Sequence, residues 1–290
     1  MVAFNGKNRE RMEQMKLSIW SSYYPELKVE DAIQRLADNG IYCSELSDEH
    51  GFELLSRSAD VLETAKNFAK FLSERNFEIS QGHLWLRIKI CEDDTALEKL
   101  YPWIDMYEAM GIKNMVLHCD NMIETKLTRQ EKIEKNIEKL RLLADYIKDK
   151  YVTICLENLR PLVPGQEELI DRNADDLLYM IDRIGSGKFG ICLDTGHLNL
   201  TDKDQLAFIY KAGAKLKALH ITDNDGTADQ HLMPFNRGEI DFEKIVKALR
   251  EVGYCGLFNL EIPGERYVPL PLRDAKIAYI KAGYQYLMNE

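Results

Sequence analysis

Hydrophobic positions along the chain follow two alternating rhythms. Short β-branched or apolar runs occur at Leu17–Trp20, Ile41–Leu46, Glu78–Leu84, Asn114–His118, Val152–Glu157, Gly190–Asp194, Ala218–Thr222 and Leu257–Ile262. Longer stretches of helical period lie between them. Val29, Ala32, Ile33, Leu36 and Ala37 share one helical face, and Gly40 follows as a stop. Thr128 and Glu131 form a capping box ahead of the stripe Ile133, Ile137, Leu140, Ala144 and Ile147. Asn173 is placed to cap the helix of Leu177, Leu178, Ile181 and Ile184, which Gly185 closes; Asp241 and Gly253 bracket Phe242, Ile245, Val246, Leu249 and Val252 in the same way. Eight strands separated by helical segments predict an α/β fold, a (β/α)8 TIM barrel, as one domain over 15–290 behind a polar N-terminal extension at 1–14.

In such a barrel, chemistry gathers where the strands end. The polar residues at these ends are Glu45, His83, His118, Glu157, Asp194, His220 and Glu261. From His83 onward they are spaced by 35, 39, 37, 26 and 41 residues, about one βα unit each. A charged or imidazole side chain closing an apolar strand is costly unless it is paired or bound to a metal. Isolated structural histidines do not produce that pattern at six consecutive strand ends. Two positions earlier, pointing into the barrel with them, stand Cys43, Val116, Cys155, Cys192, Ala218 and Asn259, mostly small residues that suit a packed floor. His197 follows Asp194 in Asp-Thr-Gly-His, where Gly196 is expected to let the backbone turn so that both side chains face one point. Asp229 and His231 add a pair in the loop after strand seven, whereas His50 falls outside the pattern and reads as a surface or rim residue.

Composition narrows the setting. Hydrophobic residues make up 45% and charged residues 30% of 290, an ordinary globular balance. The net charge of −10 weighs against nucleic acid and anionic membrane as partners, which favour a basic face. No uncharged apolar run approaches the ~20 residues of a membrane span, and Met1–Gln14 has no apolar secretory segment. Six cysteines far apart, with no CxxC pair, are expected to be free thiols in a reducing cytoplasm. A monomer and a homo-oligomer are both compatible with the sequence.

Carboxylates and imidazoles without thiolates favour a divalent Zn, Mn, Co or Mg ion. Glu157, Asp194, His220 and Glu261 would hold it and leave positions open for substrate oxygens. Two glutamates about a hydroxy-ketone could move a proton between carbons, one removing and one delivering it, through a metal-stabilised enediolate. Trp20, Tyr23, Tyr24, Trp85 and Phe235 are candidates to stack on a sugar, and Lys89, Arg160 and Arg237 to meet a phosphate or carboxylate.

Leu-Glu-Asn at 156–158, Leu-Asp-Thr-Gly-His at 193–197, Leu-His-Ile-Thr-Asp-Asn at 219–224, Asp-Gln-His-Leu at 229–232, Arg-Gly-Glu-Ile-Asp at 237–241 and Leu-Glu-Ile-Pro at 260–263 resemble the sugar phosphate isomerase/epimerase group. That group lies within the xylose isomerase-like barrel superfamily, which also holds endonuclease IV, and the resemblance runs from about Met15 to Met288. It implies that Glu157, Asp194, His220 and Glu261 bind metal, that Glu157 and Glu261 are the acid/base pair, and that His197 contacts substrate. His83, Trp85, Trp20 and Arg237 are further substrate-binding candidates. The endonuclease IV branch holds three zinc ions with nine ligands, and the residue types match at His83, His118, Glu157, Asp194, His197, His220, Asp229, His231 and Glu261. One to three ions are therefore expected. Two departures bear on the choice. Asp223-Asn224-Asp225-Gly226 stands where the epimerases place an Arg, and Gly82-His83-Leu84-Trp85-Leu86-Arg87 has little of the basic, DNA-inserting character of the endonuclease loop. The expected function is a metal-dependent isomerase or epimerase of a sugar, sugar acid or cyclitol. The alternatives are a dehydratase using the same site for β-elimination, a zinc phosphodiesterase acting on abasic DNA, and a metal-stabilised binding subunit.

Overall fold

The computed structural model describes residues 15–161 and 169–289, so the extension assigned to 1–14 lies outside the described residues. Eight parallel strands are present: β1 (Lys16–Ile19), β2 (Cys43–Leu46), β3 (Glu78–His83), β4 (Asn114–Leu117), β5 (Thr153–Glu157), β6 (Phe189–Asp194), β7 (Leu216–His220) and β8 (Leu257–Leu260). The helices are α1 (Val29–Asp38), α2 (Asp48–Leu55), α3 (Val61–Ser73), α4 (Ala96–Ala109), α5 (Arg129–Ile147), α6 (Ala174–Ile184), α7 (Thr195–Asn199), α8 (Gln205–Ala212), α9 (Phe242–Glu251) and α10 (Leu270–Asn289). Their starts follow local chemistry. The Thr128–Glu131 capping box forms at α5, Asn173 accepts from the Asp176 amide at α6, and Asp241 accepts from the Lys244 amide at α9. Gly185 ends α6 at a φ of 75°, a left-handed conformation that other residues adopt only with strain.

Strands β2 to β7 form one ladder in chain order, and β1 pairs with β8. An Ile221–Leu260 bridge joins β7 to β8, with Ile221 N donating to Asn259 O at 2.8 Å. On the other side Ser44 Oγ donates to Ile19 O at 2.6 Å, drawing β2 to β1. The result is a (β/α)8 TIM barrel, with helices packed against the outside of the sheet and the core between the two layers.

Inside the barrel, Val116, Cys155, Cys192 and Ala218 pack as a separate buried floor. Cys43, expected in that layer, is only half-buried. A register shift between Ser44 and Glu45 interrupts the alternation of β2 there. Gln81 of β3 instead reaches inward and donates to Leu219 O at 3.2 Å. All six cysteines are free, and among the described residues no helix is long and apolar enough to cross a membrane.

Candidate metal centre

Of the four ligands expected to hold the first ion, three close a strand, Glu157 on β5, Asp194 on β6 and His220 on β7, while Glu261 follows β8 directly. One ligand atom from each of these four residues lies within 4.8 Å of the others. His220 Nδ1 faces Glu157 Oε1 at 3.2 Å and Glu261 Oε2 at 3.3 Å. Neither approach is aligned as a hydrogen bond, and Asp194 Oδ2 likewise is buried without a partner. Buried polar atoms left unsatisfied cost roughly 1–3 kcal/mol each. A cation among these four groups would satisfy both, and the oxygen and nitrogen donors fit a divalent ion such as zinc or manganese.

The surroundings orient each donor. His220 Nε2 donates to Glu45 Oε1 at 3.0 Å, which leaves Nδ1 to face the cluster. Glu45 Oε2 in turn accepts from Gln81 Nε2 at 2.9 Å and from Asn259 Nδ2, while Asn259 Oδ1 accepts from Ser18 Oγ at 2.6 Å. Asp194 Oδ1 accepts from His197 N at 2.6 Å, so the carboxylate also caps α7. The Asn158 side chain clamps the Asp194 backbone, accepting from its N at 2.8 Å and donating to its O at 3.0 Å. Sequence reasoning assigned no role to Gln81 or Asn158 and placed Asn259 only in the packed floor. Gln81 stands two residues before His83, the spacing already applied to the other strands, and the two asparagines are close neighbours of expected ligands. Gly196 serves differently from its expected turn role. It lies within α7, and a Cβ there would come within 2.2 Å of Thr222 Oγ1, so close approach excludes a side chain.

The remaining strand-end and loop groups converge on the same end of the barrel. His118 Nε2 meets Glu157 Oε2 at 2.9 Å, and His83 Nε2 lies 3.5 Å from the same oxygen. His83 is turned there by Nδ1 donating to Leu84 O at 2.6 Å. His197 donates from Nδ1 to Asn158 O at 3.0 Å and His231 from Nδ1 to Glu261 O at 2.7 Å, so both present Nε2 to Asp229 Oδ2, at 3.5 and 3.3 Å. Burial opposes charging His83, but Glu157 outweighs it and raises its pKa to about 9. At His197 burial is overcome by Asp194, Asp229 and Glu157, and at His220 by Cys192 together with Glu261, Glu45 and Glu157, so both rise well above the usual imidazole range. Burial pushes Glu261 up to about 7. Carboxylates that can hold protons on buried imidazoles would also attract a divalent cation.

Glu157 and Glu261 line a cavity of about 360 Å³, shared with Trp20, His83, His118, His197, Asp229 and His231. Asp194 and His220 are fully buried. The cavity is also lined by Lys89 and Arg160, but each faces a carboxylate: Lys89 Nζ is 3.9 Å from Asp120 Oδ1 and Arg160 Nε is 2.9 Å from Asp229 Oδ2. Trp85 and Arg237 are not among the lining residues. The Trp85 ring packs edge-on against Phe52 at 5.4 Å, and the Arg237 loop is drawn onto Asp223 and Asn224 by the Ile240 and Glu239 amides. Tyr23 and Tyr24 are core residues bonded to Arg273 O and Asp274 Oδ1, and Phe235 packs against Tyr286 of α10. His50 is a correction: at 3% exposure it is buried, with Nδ1 bonded to Ser21 Oγ at 2.8 Å and Nε2 to Leu27 O at 3.1 Å. A wider cleft of about 940 Å³ at the opposite barrel end, lined by Arg141, Lys148, Thr153 and Lys188 among others, contains no histidine.

Residues 30–288 match the family model described as xylose isomerase-like TIM barrel. An uncharacterised protein of Sinorhizobium fredii is 30% identical over 205 residues, 68% of this chain but only 60% of the relative's own length. A fructoselysine 3-epimerase of Escherichia coli O157:H7 is 26% identical over 125 residues, 43% of this chain and 44% of that protein. A probable endonuclease 4 of Mycoplasmopsis agalactiae is 21% identical over 227 residues, 74% and 79% of the two chains. Among solved structures, a D-tagatose 3-epimerase-like protein superposes with a TM-score of 0.75 at 19% identity, covering 95% of this chain and 98% of its own. That likeness shows the fold.

Proposed function

The chain belongs to the xylose isomerase-like TIM barrel family, and from that premise we propose that it is a divalent-metal-dependent isomerase or epimerase of a sugar, sugar acid or cyclitol. The observation that carries this reading is the convergence of Glu157 and Glu261 on His220 Nδ1, at 3.2 and 3.3 Å, at the floor of a cavity. A divalent ion held by Glu157, Asp194, His220 and Glu261 would polarise substrate oxygens and lower the cost of charge developing there. The two glutamates supply carboxylate oxygens able to take a proton from a carbon beside a carbonyl and to return one. His197, whose Nδ1 donates to Asn158 O, lines the cavity and would meet a substrate hydroxyl through Nε2, 3.5 Å from Asp229. Trp20 lines the same cavity, with its indole N–H committed to Ile262 O at 2.9 Å and its ring left for a sugar face. The relative named as a fructoselysine 3-epimerase supports the epimerase kind. Loss of a β-hydroxyl after the same proton abstraction would make the protein a dehydratase. The free cysteines suit a reducing cytoplasm.

A second reading, a zinc phosphodiesterase, draws on the gathering of nine His and carboxylate residues and on the relative named as a probable endonuclease 4. It ranks lower because the lysine and arginine lining the cavity, Lys89 and Arg160, lie 3.9 and 2.9 Å from carboxylates, where a phosphodiester favours unpaired basic side chains. Two measurements on the purified protein separate the readings: ions counted per chain, and incubation with zinc and abasic-site DNA. The proposal expects at least one tightly held ion and no incision. Efficient incision would reverse the ranking.

A further inference from the structure

The cavity above Glu157 and Glu261 has two unlike walls. One is built of imidazoles and carboxylates. The other, from the loops after β3, β4 and β5, carries the aliphatic side chains Leu86, Ile88, Ile123, Leu159 and Leu169, with Lys89, Cys119, Asn121 and Arg160 between them. Ile88 and Leu169 are buried and anchor that wall, while Leu86 and Ile123 remain 44% and 37% exposed at a concave site. Large aliphatic side chains exposed together in a pocket mark a place where apolar ligand surface docks. A free ketose would turn hydroxyls onto this wall, and each one buried without a partner weakens binding by roughly tenfold or more. Arg160 Nε lies 2.9 Å from Asp229 and the half-exposed Lys89 3.9 Å from Asp120, so the wall offers an anion little unpaired lysine or arginine charge.

We propose that the substrate is a neutral aldose or ketose that keeps its carbonyl free and carries an apolar substituent elsewhere, such as an alkyl or aryl ether. Its oxygens meet the Glu157–Glu261 end and its substituent lies on Leu86, Ile88 and Ile123. The polyol end rests on the isomerase reading above; the aliphatic wall is observed independently of it.

The test is a binding titration of the full-length, metal-loaded protein, followed by calorimetry and by fluorescence, to which Trp20 in the cavity wall contributes. The probes are the 6-O-methyl and 6-O-phenyl ethers of D-glucose, D-fructose and D-tagatose, which keep the carbonyl free. For at least one sugar the phenyl ether is expected to bind about tenfold tighter than the methyl ether. Leu86→Ser and Ile123→Ser should each cut that preference to below about threefold, with melting temperature and metal content unchanged because both side chains are exposed. Equal binding of every pair, no binding by any probe, or a preference that survives both substitutions would overturn the proposal. Hydrogen exchange at a substrate carbon is measured separately. A phenyl preference without exchange would count against the isomerase reading alone, and exchange without the preference against the substituted substrate alone.

Discussion

Glu45 accepts from His220 Nε2 at 3.0 Å, and this bond fixes the imidazole tautomer that turns Nδ1 toward Glu157 and Glu261. Glu45 is thus a positioning residue, and removing its charge should act through His220. Glu45→Gln is expected to weaken divalent-metal affinity about 10–100-fold, measured by competition with a chromogenic chelator; unchanged affinity would refute the role. Asp171 offers a second test at this scale. It is fully buried, accepts from Asn121 Nδ2 at 3.0 and 3.1 Å, and burial pushes its carboxyl up from 3.8 to about 7. Between those values the unfolded chain has lost a proton that the folded chain keeps, so stability falls as pH rises through this window. Asp171→Asn should flatten that slope, with wild type losing about 2–4 kcal/mol relative to the variant between pH 4 and pH 7 in urea unfolding. Parallel slopes for the two proteins would refute the assignment. Such residues are hard to recognise in sequence because burial decides what they do. His50 shows the same limit: it read as a rim residue from its polar neighbours, yet Ser21 and Leu27, distant in the chain, satisfy both ring nitrogens in the interior.

At the scale of elements, alternation and capping carried most of the information. All eight strands are found within two residues of their expected positions, and the capping box of α5, the Asn173 and Asp241 caps of α6 and α9 and the glycines after α6 and α9 form as read. The candidate ligands were legible because a polar side chain closing an apolar strand is conspicuous. The network behind them was not, because Gln81, Asn158 and Asn259 look like ordinary polar residues until the barrel closes. The β2 bulge was also hidden, since a register shift depends on the partner strand, and it displaced Cys43 from the expected floor. The short helix α7 joins Asp194 to His197 through Gly196, where a Cβ would lie 2.2 Å from Thr222 Oγ1 and 3.1 Å from Asn224 Nδ2. Gly196→Ala is therefore expected to destabilise the protein by about 1–3 kcal/mol and to weaken metal binding with it. Calorimetric melting with and without metal reads both effects, and a variant as stable and as metal-avid as wild type would contradict the packing argument.

At the scale of the molecule, the barrel gathers imidazoles and carboxylates from β3 to β8 at one end, and a divalent cation held among them would add to the folded state's stability. Stripping metal with EDTA should lower Tm by about 5–15 °C, and added Mn or Zn should restore it, because an ion that binds only the folded chain stabilises it in proportion to the logarithm of its excess. A Tm indifferent to chelation would contradict a tightly held ion. The central claim is proton transfer between carbon and the Glu157–Glu261 pair, and it is tested most directly by turnover in D2O with mass and NMR analysis of recovered sugar. The account predicts one deuterium entering a carbon-bound position with the metal-loaded wild type. It also predicts a fall of about 10²–10⁴-fold in that exchange for Glu157→Gln and for Glu261→Gln. Turnover of an accepted substrate without deuterium at carbon, or exchange undiminished in both variants, would contradict it.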